Sequence, residues 1–503
     1  MKEKIVSLAR HSAIYALGNA LTVAGGFILI PLYTHVLTTS EYGVLELINR
    51  SADIVILVMF NGVRQGFIRY YFDHDNEDWH KTVVSTTLLI LSISSIAVSL
   101  AVFLFREPLS ALMLKSEAAA VLLVFVIVWL PLEMMARVGM THLQIQKKSA
   151  TYVLINLSRF FLLIGSNILL VYVYRKGIAG ILITNMWIAG LVGLGFMAVL
   201  IRWTGIKLSA QVVKDLVKFG APYAPTAVFM FLLSSSDRYF LSALVSLGAV
   251  GVYALAYKIG MFGTSLIMGP FGMIWTPFLF ENYRKEDGPE LIGKVFTLYT
   301  LAIVGVGLGV SVMSPIVIPL ISDAAYHASY RLVPLICLAA IFYGMACIAD
   351  AGILISKKTF YKPILFGAAS IVSVGLNVAL IPHYGAIGAA FTLSVSFFAL
   401  FILVYWVSSR FYFFKIEYRK ILSIFASAVF VYWLSHVLFA WSNGQPHLRM
   451  CSVLSLALFP ALIWHGGVFS SEEKTTFKDF IGEKTAKLRG LRGAQETGVV
   501  SSK

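Results

Sequence analysis

Apolar runs of about twenty residues follow one another along almost the whole chain. Each is long enough to cross a hydrocarbon core of about 30 Å as a helix. Fourteen spans are predicted, near 12–37, 44–71, 82–105, 119–145, 149–174, 178–202, 218–245, 249–280, 292–321, 329–355, 361–382, 385–408, 420–440 and 448–468. The runs are too long for barrel strands and do not alternate, so the fold class is an all-α polytopic membrane protein rather than a barrel. The first run is too long for a signal-peptide core and reads as an uncleaved span. Connections are short. The longest, 203–217, sets apolar residues at helical spacing with basic residues between them, the pattern of a helix lying along the interface. The polar tail, 470–503, repeats that pattern with Phe477, Phe480, Ile481, Lys484, Leu488 and Leu491, and predicts an amphipathic helix as against a disordered end.

The chain also repeats itself at an offset of about 208 residues. Tyr42-Gly43-Val44 aligns with Val250-Gly251-Val252, each placed just after a short turn, and Arg50 then aligns with Lys258. QIQKKS at 144–149 matches LISKKT at 354–359, Asn167 matches Asn377, and GIAGILIT at 177–184 matches GAIGAAFT at 385–392. One small gap and its reversal reconcile the offsets. Each copy holds six spans, an even number, so the copies run parallel about an axis along the membrane normal. The predicted organisation is a six-helix lobe at 1–203, an interfacial linker at 204–217, a second lobe at 218–410, two unpartnered helices at 411–469 and the tail.

Composition sharpens this picture. The chain has 503 residues, 58% hydrophobic and 13% charged, with mean hydropathy +0.82. Its net charge of +15 reads as orientation signal rather than nucleic-acid binding. Most of the 40 basic residues fall on the N-terminus, the even-numbered connections and the tail, which places both termini in the cytoplasm. Cys337, Cys347 and Cys451 lie in apolar runs and imply neither disulfides nor a metal site. Gly482-Glu483-Lys484-Thr485 lacks the full phosphate-loop pattern and follows no strand. No cofactor is implied.

The candidate chemistry is charge inside the spans. Arg50, Arg64, Arg137, Arg159, Arg238 and Lys258 face the deep acids Asp53, Glu133, Asp237 and Asp350, with Glu46 at the edge of span two. A central cation costs roughly 2.5–3.5 kcal/mol to insert, so each needs a partner, a cavity or a route to the headgroups. Arg50 can meet Glu46 or Asp53, and Arg137 can meet Glu133, on one helix face. Asp237 and Arg238 are adjacent and point to different faces. Arg64, Arg159 and Lys258 have no local partner. Arg50 and Lys258 sit on equivalent helices and face each other if both line a central cleft. Two such cations suit an anionic ligand, and arginine suits phosphate in particular. Blander readings stand beside these: Arg238 and Arg64 snorkel to headgroups, Arg50 and Arg137 sit in structural ion pairs, and Asp350 is an edge charge near Lys357 and Lys358. Pro131, Pro222, Pro225, Pro270 and Pro277 start or kink helices, and Pro222 with Pro225 marks a bend at the start of the second half.

KFGAPYAP, SSSDRYFLSAL and GVYALAYKIG, in order over 218–260, followed by Trp275-Thr276-Pro277, resemble the second-lobe signature of polysaccharide-biosynthesis flippases. These belong to the multidrug/oligosaccharidyl-lipid/polysaccharide exporter superfamily. Glu41-Tyr42-Gly43, Arg69-Tyr70-Tyr71, the KKT turn and LNVALIPHYGAIGAA at 376–390 fit the same family. The resemblance covers about residues 10–410. It implies two lobes around a central cleft in a bacterial inner membrane. It also implies outward translocation of an oligosaccharide linked to a polyprenyl diphosphate for surface or exopolysaccharide assembly. The matching positions for a cationic cleft are Arg50, Arg64, Arg159 and Lys258, with Arg137 and Arg238 as further candidates. Asp53 and Glu133 are candidates for ion coupling. Partners implied are the anionic lipid-linked oligosaccharide, membrane lipids and other polysaccharide-assembly proteins. Two other functions are weighed. A multidrug or cation antiporter wants acidic residues in its cleft, the opposite balance. A membrane glycan polymerase or ligase, the enzyme reading, wants a sizeable extramembrane site, and the loops near 106–118 and 322–328 are too short.

Overall fold

The computed structural model describes residues 26–441, 446–469 and 474–475. Among them every regular element is a helix. In order these are α1 (Ile30–Val36), α2 (Thr39–Tyr71), α3 (Glu77–Leu104), α4 (Arg106–Leu114), α5 (Ala120–Ile145), α6 (Ser149–Asn167), α7 (Gly177–Thr204), α8 (Ala210–Gly220), α9 (Tyr223–Leu244), α10 (Leu247–Asn282), α11 (Gly288–Ile321), α12 (Val333–Ala349), α13 (Ala351–Ile355), α14 (Tyr361–Ser408), α15 (Tyr418–Trp441), α16 (Pro446–Leu454) and α17 (Leu458–His465). Most of the first predicted span and of the tail lie outside the described residues.

Nine of the described helices are long and apolar enough to cross a membrane, or ten if the bent pair α8–α9 is one span. The difference from fourteen has local causes. Helix α14 joins two predicted spans across Gly385, whose φ of 56° breaks the helix. Helix α2 has 33 residues but carries Glu46, Arg50, Asp53, Arg64 and Arg69. The predicted last span is split into α16 and α17 by a short 3-10 turn at Ser455–Ala457. The linker does form a helix, α8, which buries Val212, Leu216 and Gly220. It meets α9 at 44° across residues 221 and 222, so the bend predicted near Pro222 is present.

The repeat is visible in backbone detail. Thr38 caps α2 by accepting from the Glu41 N–H, while the Glu41 carboxylate returns a bond to the Thr38 N–H at 2.8 Å. Ser246, its counterpart, caps α10 through the Ala249 N–H. Gly177 and Gly385 both take positive φ, 54° and 56°, at the turn before the sixth span of each copy. Lys147 and Lys357 do the same in the matched KK turns. Asn167 accepts from the Tyr33 hydroxyl at 3.0 Å, and Asn377 donates to Ser236 at 3.3 Å, so each ties its span to the first span of its own copy.

Helices α2 and α10 cross where the copies meet. Gly43 and Gly251 lie just after turns, as expected, each as the fifth residue of its helix. Their smallness serves contact, not turning. A Cβ on Gly43 would lie 2.0 Å from the Leu247 carbonyl oxygen, and one on Gly251 would lie 1.9 Å from that of Thr39. Small residues let membrane helices approach backbone to backbone, which is where their packing energy comes from. Close by, Tyr326 donates to the Leu37 carbonyl at 2.9 Å and meets Tyr42 edge to face. A second approach, between Gly62 of α2 and Gly220 of α8, ties the opposite end of α2 to the second half.

Candidate functional site

Two charged clusters lie along α2. The first occupies the α2–α10 crossing. Glu46 and Arg50 are one helical turn apart, and the Arg50 Nε donates to the Glu46 Oε1 at 2.9 Å. Arg50 also reaches Asp53 at 2.9 Å. From α9 the Arg238 Nε meets the same Glu46 oxygen at 2.9 Å, and its Nη1 meets Asp237 at 2.9 Å. Tyr253 donates to the other Asp237 oxygen. The Arg238 guanidinium stands 4.1 Å from the Tyr257 ring centroid. Lys258 donates to the Tyr42 hydroxyl at 2.8 Å and forms no ion pair among the described residues.

This geometry corrects three expectations. Asp237 and Arg238 do not point apart: the arginine side chain folds back one turn, where it also meets the Ser234 carbonyl at 2.9 Å. Arg238 does not snorkel to headgroups, since its side chain is 0% exposed. Arg50 and Lys258 are not two free cations on opposite walls, because Glu46 and Asp53 occupy Arg50. The cluster holds Arg50, Arg238 and Lys258 against Glu46, Asp53 and Asp237, and is balanced. Asp350, read from sequence as an edge charge near Lys357 and Lys358, pairs with Lys362 at 2.7 Å.

The second cluster is unbalanced. A cavity of about 570 Å³ opens among α2, α5, α6 and α7. Arg64, Arg137 and Arg159 line it with a single carboxylate, Glu133. Glu133 is pinned between two of them, at 3.0 Å from Arg137 and 2.9 Å from Arg159. Among the described residues Arg64 meets no carboxylate; its Nη2 donates to the Gln144 side chain at 3.1 Å. Arg137 and Arg159 remain 39% and 26% exposed while Glu133 is 7% exposed, so the guanidinium groups front the open space and the acid sits behind them. Each guanidinium has five N–H donors, and Glu133 uses few of them. The cavity wall therefore presents surplus positive charge and free donors inside a membrane bundle, an arrangement suited to an anion.

The structure thus sorts the six cations. Arg64, Arg137 and Arg159 come together; Arg50, Arg238 and Lys258 form the separate, neutralised seam. The Glu133–Arg159 pair, 26 residues apart in sequence, is tertiary and gave no local signal. The uncharged lining was missed as well: Phe60, Trp129, Gln144, Tyr152, Asn156, Phe160 and Asn185. A signal for part of it was present. Glu133, Arg137 and Gln144 fall on one face of α5, and Tyr152, Asn156 and Arg159 on one face of α6.

The chain shares its fold with membrane transporters. It is similar to a structure described as the lipid II flippase MurJ in an inward closed conformation, with TM-score 0.64 and 12% identity over 93% of this chain and 100% of that one. An inward-facing multidrug resistance MATE family transporter of the MOP superfamily matches at TM-score 0.57 and 14% identity, over 78% of this chain and 94% of that one. An outward-facing one matches at 0.54 and 16%, over 80% and 94%. Identities this low speak to fold alone. Among curated proteins none matches. The family described as polysaccharide biosynthesis protein matches residues 8–283, more than half of the sequence. With its apolar helices and repeated halves, this multi-pass membrane chain belongs to the polysaccharide biosynthesis protein family.

Proposed function

We propose that the chain is a flippase carrying a polyprenyl-diphosphate-linked oligosaccharide from the inner to the outer leaflet by alternating access, with both termini in the cytoplasm of a bacterial inner membrane. The observation that carries this reading is the cavity wall of Arg64, Arg137 and Arg159 against one Glu133. A membrane protein tolerates such a surplus where an anionic ligand completes it. In this reading the lobes are 1–203 and 218–410, with 204–217 as the linker between them. The Thr38 and Ser246 caps lie at the outer end, and the Gly43–Gly251 crossing is the outer closure that parts when the cleft opens outward. Glu133 is the brace of the anion site, which leaves Asp53, 40% exposed beside Arg50, as the carboxylate for ion coupling. Antiport of a cation would need the opposite charge balance in the cavity.

The test uses a strain lacking the gene, sealed vesicles of known orientation and a membrane-impermeant probe for lipid-linked oligosaccharide. Cytoplasmic-face build-up is expected. Wild type relieves it, and the Arg64→Gln/Arg159→Gln variant, present at normal membrane levels, does not. Full relief by that variant removes the cavity from the mechanism. Normal outward passage with altered sensitivity to cationic drugs points to antiport instead, and unpolymerised units stranded outside point to a polymerase or ligase.

A further inference from the structure

We propose, resting on the flippase reading above, that the arginine cavity receives a carboxylated sugar of the cargo, so that the substrate class is an acidic oligosaccharide. Three features of the cavity carry this. The first is its length. Its lining runs along α5 from Trp129 to Gln144, which is about 22 Å at 1.5 Å per residue. A diphosphate is compact and fills one end of such a space; a chain of sugar rings fills its length. The second is the kind of wall. Trp129 and Phe160 present aromatic rings, and Asn156, Asn185 and Gln144 present amides. Aromatic faces carry negative quadrupole density and take the electropositive C–H face of a pyranose, while amides pair with its hydroxyls as donor and acceptor. A phosphate group uses neither an aromatic face nor an amide carbonyl. The third is the spread of charge. Arg64 stands apart beside Gln144, and Arg137 and Arg159 flank Glu133 deeper along α5.

Glu133 also supplies a direct chemical precedent within the site. Its carboxylate is taken by two guanidinium groups at 2.9 and 3.0 Å, the arrangement a uronate carboxylate would meet. Arg64 meets no such acid among the described residues and is the arginine left for the cargo. Its planar fork suits a carboxylate better than a lysine ammonium would. Glu133 thus acts as a positioning residue, holding two arginines at the wall.

The test uses the full chain in lipid nanodiscs, titrated calorimetrically with three soluble probes: a tetramer of galacturonic acid, its methyl ester and inorganic pyrophosphate. The acid tetramer is expected to bind about tenfold more tightly than the ester, matching the loss of a charge-assisted contact. Arg64→Gln is expected to remove that preference. Trp129→Leu, which leaves every charge in place, is expected to weaken acid and ester alike. Equal binding of acid and ester overturns the inference. Pyrophosphate binding that Arg64→Gln abolishes, with no binding of the acid tetramer, also overturns it and leaves a diphosphate site within a flippase. If no probe binds, the inference falls, and the leaflet assay described above decides separately whether the flippase reading stands.

Discussion

The two halves of this chain share one frame and differ in what they place inside it. Caps, turn residues and the paired asparagines match between them, and the crossing glycines touch each other's helices symmetrically. At the positions that build the arginine cavity the match ends. Within α5 and α6 the repeat sets Glu133 against Tyr343, Arg137 against Cys347 and Arg159 against Ala369; on α2 it sets Arg64 against Gly272. Ala369 is 0% exposed, and Phe366 and Leu393 stand where the first half has Asn156 and Asn185. The second half repeats the frame without the arginines, the glutamate and the asparagines that line the cavity in the first. Duplication preserved the geometry that lets the halves meet, and the arginine-lined cavity is built by one of them.

The strongest way to break this comparison is to force the first half's chemistry on the second. Ala369→Arg would bury a cation on α14 with no acid at position 343 to receive it. An unpaired buried charge costs about 3–5 kcal/mol or more, enough to prevent assembly of many proteins. Little folded protein is expected, read as loss of the monodisperse peak after detergent extraction. Adding Tyr343→Glu recreates the Glu133–Arg159 geometry and is expected to restore part of the yield. No rescue by the second substitution would mean that the two halves are not equivalent in backbone at this point.

The shared frame is tested by its own symmetry. Gly43→Ala and Gly251→Ala each set a methyl group against a backbone carbonyl, which cannot rotate away. Overpacking of this kind costs about 1–3 kcal/mol. Each variant is expected to lower the thermal unfolding temperature of the purified protein, by similar amounts. A large effect of one and none of the other would show that the crossing is less symmetric than the geometry at Gly43 and Gly251 indicates.

How much of this was legible in the sequence divides along the same line. Span positions, the internal repeat and the linker helix follow from periodicity and composition, which are local properties. The interior of the cavity does not. Arg159 finds Glu133 only because α5 and α6 pack side by side, and Arg238 finds Glu46 across 192 residues. Sequence spacing could place Arg137 one turn from Glu133, and it did. It also placed Arg50 within reach of Glu46 and Asp53, and both pairs form; it could not show that Arg238 would share Glu46, since that depends on which face of α2 meets α9. The glycines at 43 and 251 were noticed for a shared position just after turns, and the turns are there, but nothing local showed that each glycine meets the other half's backbone. Glycine signals a turn and a close helix contact in the same letter, and only the partner helix separates the two.

The smallest expected effect isolates the frame from both contact and ligand. Gly165 and Gly375 are repeat partners, on α6 and α14, and a Cβ on either would meet nothing within 4 Å. Both have ordinary helical backbone, so alanine can adopt the native conformation. Glycine inside a helix costs roughly 0.5–1 kcal/mol relative to alanine, because the unfolded chain loses more freedom on ordering. Gly165→Ala and Gly375→Ala are therefore each expected to raise the unfolding temperature slightly, and the double variant to raise it by the sum, since the sites share no partner. Transport is expected to be unchanged in all three. A stabilised protein that transports more slowly would mean that one of these glycines flexes during the cycle. In that case the difference between the two single variants would show which half moves.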